Sequence, residues 1–200
     1  MKNTIFYTLG ENGYLNITNR CMMACPYCIK NKWDNKFYGN DLKLDAEPSI
    51  EQILSAIGDV KKYKEIVFCG YGDALTRLET VVEVCRVLKE KGAKIRINTA
   101  GLANKFYGKN ILPRLKGLVD AISISLNGSN PKEHNEINKP AFGEESFDEI
   151  LKFAKEAKNC IPEVTITAVS LPSLDVSKIE ALAKNAHLNF RLRPYLQDNE

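Results

Sequence analysis

The sequence lacks the features that mark several special classes of protein. It has no apolar run close to the roughly 18 residues of a membrane span. We expect no signal peptide, because the first apolar stretch, residues 5–9, is short and is interrupted by Thr8. The formal net charge is only +3, and the two histidines, His134 and His187, are far apart. The sequence therefore predicts no membrane segment, and its charge gives no signal for nucleic-acid binding.

The overall composition is that of an ordinary globular chain, with 44% hydrophobic and 26% charged residues. These proportions exclude disordered, collagen-like and coiled-coil proteins. Cysteine is the unusual component: three cysteines lie within eight residues and three are scattered, in the order Cys21, Cys25, Cys28, Cys69, Cys85 and Cys160. This distribution is not a disulfide framework. It is typical of reduced thiols that bind metal or do chemistry, so we expect a cytoplasmic protein, with the scattered cysteines in the core or on the surface.

Hydrophobic periodicity alternates between short strands and amphipathic helices. The predicted strands cover residues 5–9, 14–18, 65–69, 94–98, 121–126, 163–169 and 190–195. The Asn12-Gly13 pair predicts a hairpin turn between the first two. About six β-α units indicate an α/β fold with a parallel sheet, in a single domain that spans residues 1–200. In such a fold the chemistry is expected at the carboxyl ends of the strands.

Helix starts and loop lengths add detail to this outline. Capping boxes are predicted at Ser49/Gln52, Thr76/Glu79 and Ser146/Glu149, a short helix over 111–119, and a last helix over 175–186. Two connections, 29–48 and 128–145, are long enough to indicate functional loops. Both follow strand ends, so we expect both to overhang the same face. His134 lies in the second loop, where it is expected to be solvated or to touch a substrate.

The clustered cysteines form the pattern C-x3-C-x2-C directly after a predicted strand. Thiolates from Cys21, Cys25 and Cys28 can hold three irons of a 4Fe–4S cube and leave the fourth iron without a protein ligand. Structural zinc normally takes four closed ligands, and no second cysteine pair is present. A cluster is therefore the favoured hypothesis. Zinc is the weaker one, and it would suit a nucleic-acid interaction domain, given the basic and aromatic residues that follow: Lys30, Lys32, Trp33, Lys36, Phe37 and Tyr38.

With the aromatic Tyr27 directly before the third cysteine, this motif resembles that of the radical S-adenosylmethionine superfamily. The resemblance implies a partial (β/α)6 TIM-like barrel, here with a short N-terminal β-hairpin. It implies a 4Fe–4S cluster on the three cysteines, with S-adenosylmethionine at the open iron and Tyr27 beside it. The implied function is an enzyme that reductively cleaves S-adenosylmethionine to a 5′-deoxyadenosyl radical, which abstracts hydrogen from a substrate. A flavodoxin- or ferredoxin-type protein would donate the electron.

A second segment of this resemblance follows the strand at 65–69. The sequence FCGYGDA looks like the Gly-Gly-Glu-Pro segment of the family, which implies that Gly70, Gly72 and Asp73 bind the methionyl ammonium. Glycine lets the backbone approach a ligand closely, and a carboxylate accepts hydrogen bonds from a cation. The sequence departs from the family pattern at Tyr71, which intervenes, and at Ala74, which replaces proline.

Two further strand ends complete the implied cofactor site. Asn98 and Thr99 match the first half of the Asn-Thr-Asn-Gly segment found in related families, although Ala100 replaces the second asparagine. Ser125 and Asn127 end the fourth strand of the repeating units, where the resemblance implies contacts with the ribose and the carboxylate. We expect Ser123 to be a small residue packed inside.

The last predicted strand leaves one question open. Arg191 and Arg193 alternate along it and so share a face. If this face is interior, two guanidiniums project towards the site and can hold a carboxylate bidentately. If it is exterior, they are simply solvated.

The segments YLNITNRC, FCGYGD, INTAGLAN and FRLRPY most resemble the short TatD-associated radical proteins of the superfamily. This subgroup implies an association with a TatD-type hydrolase rather than a particular reaction. The substrate stays open, either a small molecule or a macromolecule, and no membrane is expected. The alternative functions are a non-catalytic iron–sulfur module for binding or electron transfer, and the zinc-bound nucleic-acid domain.

Overall fold

The structure, a computed structural model, describes residues 4–31 and 33–196. Lys32 and the side chain of Trp33, two members of the basic aromatic segment, lie outside the described residues. Seven strands of the described chain form one sheet in the order β1-β2-β5-β6-β7-β8-β9, and β3 and β4 form a separate antiparallel pair. The strands are β1 Phe6–Leu9, β2 Asn12–Leu15, β3 Lys36–Phe37, β4 Asn40–Asp41, β5 Ile66–Phe68, β6 Ile95–Thr99, β7 Ala121–Ser125, β8 Glu163–Val169 and β9 Asn189–Arg193.

All neighbouring strands from β2 to β9 in this sheet are parallel, and only β1 runs antiparallel, beside β2. Helices connect the parallel strands: α1 Ile50–Ile57, α2 Leu78–Glu90, α3 Ala103–Tyr107, α4 Pro131–Asn138, α5 Glu145–Ala157 and α6 Val176–Asn185. The prediction of an α/β fold with a mostly parallel sheet is confirmed. None of the described helices has the length and apolar character needed to cross a membrane.

The two faces of the sheet differ in chemistry. One face contributes the apolar core: Ile66, Ile97, Ile122, Ile124 and Ile166 are all essentially inaccessible to solvent. The other face carries polar side chains, because successive residues of a strand point to opposite sides: Arg96, Asn98, Ser123, Ser125, Thr165, Thr167, Arg191 and Arg193. Parallel strands are usually apolar on both faces. The polar face, here named the inner face, therefore borders a site rather than a second core.

Three local predictions are wrong. The turn between β1 and β2 lies at Gly10-Glu11, because Gly10 adopts the positive φ of 56° that the turn requires, and Asn12 and Gly13 lie within β2. The boxes at Thr76/Glu79 and Ser146/Glu149 are not formed. A 3-10 turn, Ala74–Arg77, precedes α2, and α5 already begins at Glu145. The box at Ser49/Gln52 is confirmed.

The connections also differ from expectation. Residues 111–119 contain only a 3-10 turn, Leu112–Leu115. The predicted long loop 128–145 contains α4, which Asn130 caps by accepting from the Glu133 N–H at 3.0 Å. His134 is therefore not a solvated loop residue but a fully buried one on this helix.

The buried ring of His134 packs edge-on against Phe147, with 6.0 Å between the ring centroids. Neither ring nitrogen has a hydrogen-bond partner among the described residues. Burial lowers the pKa of His134 from its ordinary 6.5 to about 4. Between pH 6.5 and about pH 4, the native state keeps the ring neutral, whereas the unfolded chain is already protonated. The unfolded state therefore binds more protons in this pH range.

We expect His134 to make the free energy of unfolding fall as the pH drops from about 6.5 to about 4, by at most about 3 kcal/mol. In His134→Leu this part of the pH dependence should disappear, and denaturant unfolding at several pH values measures it. His187→Asn is the matched control, because His187 is exposed and asparagine tolerates its positive φ of 52°. Equal pH slopes for wild type and His134→Leu would contradict the assignment.

Candidate functional site

Asn16, buried directly after β2, fixes the path of the chain towards the cysteines. Its Nδ2 donates to the carbonyl oxygens of Thr4 at 2.9 Å and Leu42 at 2.8 Å. Its Oδ1 accepts from the backbone N–H of Tyr71 at 2.9 Å. One amide thus joins the amino-terminal segment, the 29–48 connection and the loop after β5.

The glycines of that loop are required by packing between protein segments. A Cβ on Gly70 would overlap Asn16, and a Cβ on Gly72 would overlap the backbone of Thr18 and Arg20. The neighbouring Asp73 N–H donates to the Arg20 carbonyl at 2.8 Å. The loop after β5 and the segment that enters the cysteine motif therefore lie in direct contact. This is a different reason for glycine from the close approach to a ligand that the sequence suggested.

All of the residues assigned from the sequence line one cavity of about 310 Å³ at the carboxyl ends of the strands. The residues that line this cavity include Cys21, Cys25, Tyr27, Cys28, Gly70, Gly72, Asp73, Asn98, Thr99, Ser125 and Asn127. Cys69 also lines the cavity, although the sequence favoured a core position for it, whereas Cys85 is fully buried in the core on α2. The 29–48 connection contributes Phe37, whose ring lies edge-on to Tyr7 at 6.5 Å between centroids.

Two thiols in this cavity, those of Cys21 and Cys25, are held neutral by their surroundings. Burial, together with the nearby Asp73 carboxylate, raises the pKa of Cys21 to about 12, and burial also raises the pKa of Cys25. A thiolate here needs a positive partner, which a bound metal centre supplies. In the described part of the chain, no three His, Cys, Asp or Glu side chains form a group that could hold a single metal ion.

Asp73 is fully engaged by its own chain. Its Oδ2 accepts from the Thr99 hydroxyl and from the Ala100 N–H, both at 2.8 Å, and its Oδ1 accepts from the Leu75 N–H at 3.0 Å. Burial raises the pKa of Asp73, and these hydrogen bonds oppose the rise. The carboxylate thereby joins the loop after β5 to the end of β6, and it caps the 3-10 turn before α2. Thr99 takes part in the same connection.

Tyr27 and Asn127 meet in a buried hydrogen-bond network with Asn138, the last residue of α4. The Tyr27 hydroxyl donates to Asn138 Oδ1 at 2.5 Å and accepts from Asn127 Nδ2 at 2.7 Å. Asn138 Nδ2 donates to the carbonyl oxygens of Asn127 at 2.6 Å and His134 at 2.8 Å. Because both amide hydrogens are used, Asn138 Oδ1 faces the phenol and lies 3.7 Å from Cys25 Sγ.

Asn138 is a site residue that the sequence did not reveal. In the sequence Asn138 is one asparagine within the predicted loop 128–145, and no pattern around it indicates a site. The backbone around it also holds the cysteine loop, because the Ala24 N–H donates to the Asn138 carbonyl at 3.1 Å and the Ala141 N–H donates to the Met22 carbonyl at 2.9 Å. The segment from α4 onward therefore supports the cysteine motif directly.

The hydrogen bonds of Arg191 and Arg193 show on which face of the sheet the two side chains lie. Arg193 Nη2 donates to Ser125 Oγ at 3.2 Å, and Arg191 Nη2 donates to Ser123 Oγ at 3.3 Å. Both arginines therefore point inward, and Ser123 is buried as expected. On the same face, Asn98 Oδ1 is buried without a hydrogen-bond partner among the described residues.

Comparison with known proteins identifies what this arrangement is similar to. Residues 15–186 match the family model of the radical SAM superfamily. A protein of Methanocaldococcus jannaschii named as a candidate glycyl-radical enzyme activating enzyme is 27% identical over 165 residues, or 82% of this chain and 64% of its own length. A tungsten-containing aldehyde ferredoxin oxidoreductase cofactor-modifying protein of Pyrococcus furiosus is 26% identical over 91 residues, 44% of this chain and 23% of that protein.

Solved structures share the fold at low sequence identity. SuiB of Streptococcus suis bound to its precursor peptide SuiA has a TM-score of 0.70 at 14% identity, covering 96% of this chain and 41% of that one. SuiB bound to S-adenosylmethionine has a TM-score of 0.64 at 11% identity, and the match covers 92% of this chain and 40% of SuiB. TYW1 with a lysine-pyruvate adduct has a TM-score of 0.66 at 14% identity, with 95% and 66% covered. The chain thus spans about two fifths to two thirds of the length of these solved chains, and 64% and 23% of the two curated relatives.

Replacing Asn138 by alanine should release the cysteine loop from α4. The change leaves buried carbonyl groups without donors, and we expect a loss of roughly 2 kcal/mol or more in the free energy of unfolding, since each unsatisfied buried group costs about 1–3 kcal/mol. Denaturant unfolding of the metal-free protein measures it. Glu136→Ala is the matched control, because Glu136 is exposed on the same helix and should change stability by no more than about 0.5 kcal/mol. Similar losses in the two variants would contradict the role of Asn138.

Proposed function

Because the chain belongs to the radical SAM superfamily, we propose that Cys21, Cys25 and Cys28 hold a 4Fe–4S cluster and that S-adenosylmethionine binds in the same cavity. The family relationship makes the protein a radical SAM enzyme of unknown substrate. The observation that carries the proposal is the convergence of the three thiols and every other residue assigned from the sequence on one cavity. When bound, the cluster supplies the electron that cleaves S-adenosylmethionine to methionine and a 5′-deoxyadenosyl radical, which takes hydrogen from the substrate.

The donor set fits a cubane better than a single ion. In a cubane each thiolate binds a different iron, and three cysteines leave the fourth iron open. Structural zinc instead takes four closed ligands, and the motif supplies three cysteines. The neutral state of Cys21 and Cys25 is consistent with thiols that lose their protons on loading.

The other cavity residues divide into those that hold the chain and those that face the ligand. Asp73 and Thr99 are occupied by hydrogen bonds within the protein, so we assign them to positioning the loop that carries Gly70 and Gly72. Asn98 Oδ1 is an unused buried acceptor, and an N–H or O–H of the ligand would satisfy it. Asn127 belongs with the residues that hold the chain, because its Nδ2 donates to the Tyr27 hydroxyl and its Oδ1 accepts from the Val169 N–H. Ser125 also lines the cavity. We therefore assign direct polar contacts with S-adenosylmethionine to Asn98 and Ser125.

Aromatic side chains form part of the cavity wall. Tyr27 is held there by its bonds to Asn127 and Asn138, and Phe37 reaches the cavity from the β3–β4 pair. The Tyr7 hydroxyl donates to the Cys69 carbonyl at 3.1 Å, which fixes the ring against the loop after β5. Such apolar walls suit a cofactor whose radical product would react with solvent components.

The finer assignments extend the same proposal. We propose that residues 1–200 form one radical SAM core domain, a partial (β/α)6 barrel with an amino-terminal hairpin, and the run of parallel strands from β2 to β9 supports this. A flavodoxin- or ferredoxin-type protein is the proposed electron donor, and the subgroup resemblance supports a TatD-type hydrolase as a partner. An oxygen-sensitive cluster on reduced thiols favours the cytoplasm.

The cluster assignment is tested by metal content. Cys21→Ala, Cys25→Ala and Cys28→Ala should each lose iron binding, whereas wild type and Cys160→Ala should take up about four irons per chain on anaerobic reconstitution. With dithionite and S-adenosylmethionine, only the last two should form 5′-deoxyadenosine, which chromatography measures.

Other outcomes would favour the alternatives. A reconstituted cluster that binds S-adenosylmethionine without forming 5′-deoxyadenosine favours a non-catalytic iron–sulfur module. Colourless protein that is purified with zinc, and whose nucleic-acid binding weakens with salt, favours the zinc-bound domain. Iron uptake by all three cysteine variants would contradict the cluster site itself.

A further inference from the structure

The cavity that contains the cysteines has one charged side chain that the protein leaves available. Among the described residues that line it, Asp73 and Arg193 are the only Asp, Glu, Lys or Arg side chains. The Asp73 carboxylate is occupied by the Leu75 N–H, the Thr99 hydroxyl and the Ala100 N–H. The cavity is thus left with a single cation that the protein does not pair.

The guanidinium of Arg193 is only partly satisfied. Its Nη2 donates to Ser125 Oγ at 3.2 Å, and its Nε is buried without a partner among the described residues. No described carboxylate forms an ion pair with it. A half-buried guanidinium without a counter-charge is unfavourable, and it presents an unused donor fork that matches the two oxygens of a carboxylate.

The backbone holds this side chain in a defined position. Arg193 ends β9 opposite Val169 of β8, and its carbonyl accepts from the Ser170 N–H at 2.9 Å. Pro194 follows directly, and a residue before proline is confined to extended conformations. The guanidinium therefore projects from a fixed strand end, which lowers the entropy lost when it binds a ligand.

Two further arginines, Arg96 and Arg191, lie on the same face of the sheet. Burial lowers the pKa of Arg191, and the charges of Arg96 and Arg193 lower it further. Arg96 is already paired with Glu65 at 3.0 Å. Arg193 is thus the member of this row that faces the cysteine cavity with no acid beside it.

We propose that Arg193 makes this cavity selective for a ligand with a carboxylate, which it holds bidentately next to Ser125. This inference rests on the proposed function, since the ligand is either the substrate or S-adenosylmethionine itself through its methionyl carboxylate. Both sources offer the same chemistry to the guanidinium. The experiment therefore separates them.

Arg191 provides a matched control on the same strand. It has the same side chain and a similar bond to a serine hydroxyl, but it lines a different cavity, of about 670 Å³, near the amino ends of the strands. That cavity contains as many acidic as basic side chains: Glu11, Glu65, Glu163, Lys64, Arg96 and Arg191. Arg191→Gln should therefore leave carboxylate binding in the cysteine cavity unchanged.

The test uses the anaerobically reconstituted protein without reductant, so that it measures binding rather than turnover. The probes are S-adenosylmethionine, its decarboxylated analogue, and malonate added to protein saturated with S-adenosylmethionine. Titration calorimetry gives the affinities for the first two, and thermal unfolding gives stabilisation by malonate. Wild type, Arg193→Gln, Arg193→Lys and Arg191→Gln are compared. Arg193→Lys keeps the positive charge but lacks the paired N–H donors of a guanidinium. It also gives a second variant in which binding can be measured if Arg193→Gln folds poorly.

Two results support the proposal and identify the source. If the carboxylate is that of S-adenosylmethionine, Arg193→Gln weakens its binding by about tenfold or more and leaves the decarboxylated analogue unaffected. If the carboxylate belongs to the substrate, binding of S-adenosylmethionine is unchanged, and the stabilisation by malonate seen in wild type is lost. In either case Arg193→Lys retains only part of the effect.

Two results overturn it in wild-type protein that binds S-adenosylmethionine. Either Arg193→Gln binds all three probes as wild type does, or Arg191→Gln loses as much affinity as Arg193→Gln. Failure of the proposed function gives different results. Wild type then binds no S-adenosylmethionine, and the inference fails with it, or wild type binds the probes with the dependence on Arg193 intact yet forms no 5′-deoxyadenosine once reductant is added.

Discussion

The structure of the site depends on the need to satisfy the backbone of an irregular loop inside a protein. The cysteine motif has neither helical nor sheet hydrogen bonds over most of its length, and buried backbone groups without partners are costly. Of three buried side chains around it, Asn138 at the end of α4 contacts the motif itself, through the Tyr27 hydroxyl. Asn16 after β2 and Asp73 after β5 instead fix the loop after β5. That loop lies against the segment that enters the motif, because the Asp73 N–H donates to the Arg20 carbonyl.

The polar face of the sheet is a second requirement of the site. A parallel sheet that is apolar on both sides would leave no room for groups that meet a charged cofactor. The alternation in β7 and β8 places Ser123, Ser125, Thr165 and Thr167 on the polar face of the sheet. The isoleucines of these strands lie on the opposite face, buried in the core. The apolar face bears the helices and supplies most of the stability, so the inner face can carry polar groups that are only partly satisfied.

Much of this arrangement follows from local sequence. Strict alternation identifies β7 and β8, and the Ser49 box identifies the start of α1. Cysteine spacing indicates the ligands proposed for the cluster. Other features depend on distant partners. Helix α4 has few apolar residues and so has little periodicity, and it is held in place by buried His134 and Asn138. Thr76 fails as a cap because its hydroxyl donates to the Asp73 carbonyl instead, at 2.8 Å.

The wall of the cavity is contributed by two separate parts of the sheet. The thiols and the residues proposed for the cofactor come from the segments after β2, β5, β6 and β7, whereas residues 193–196 come from its far edge. Substitutions at that edge can reshape the cavity without disturbing the hydrogen bonds that hold the cysteines. The edge strand can therefore change what the cavity accepts while the half proposed to hold the cofactor keeps its own hydrogen bonds.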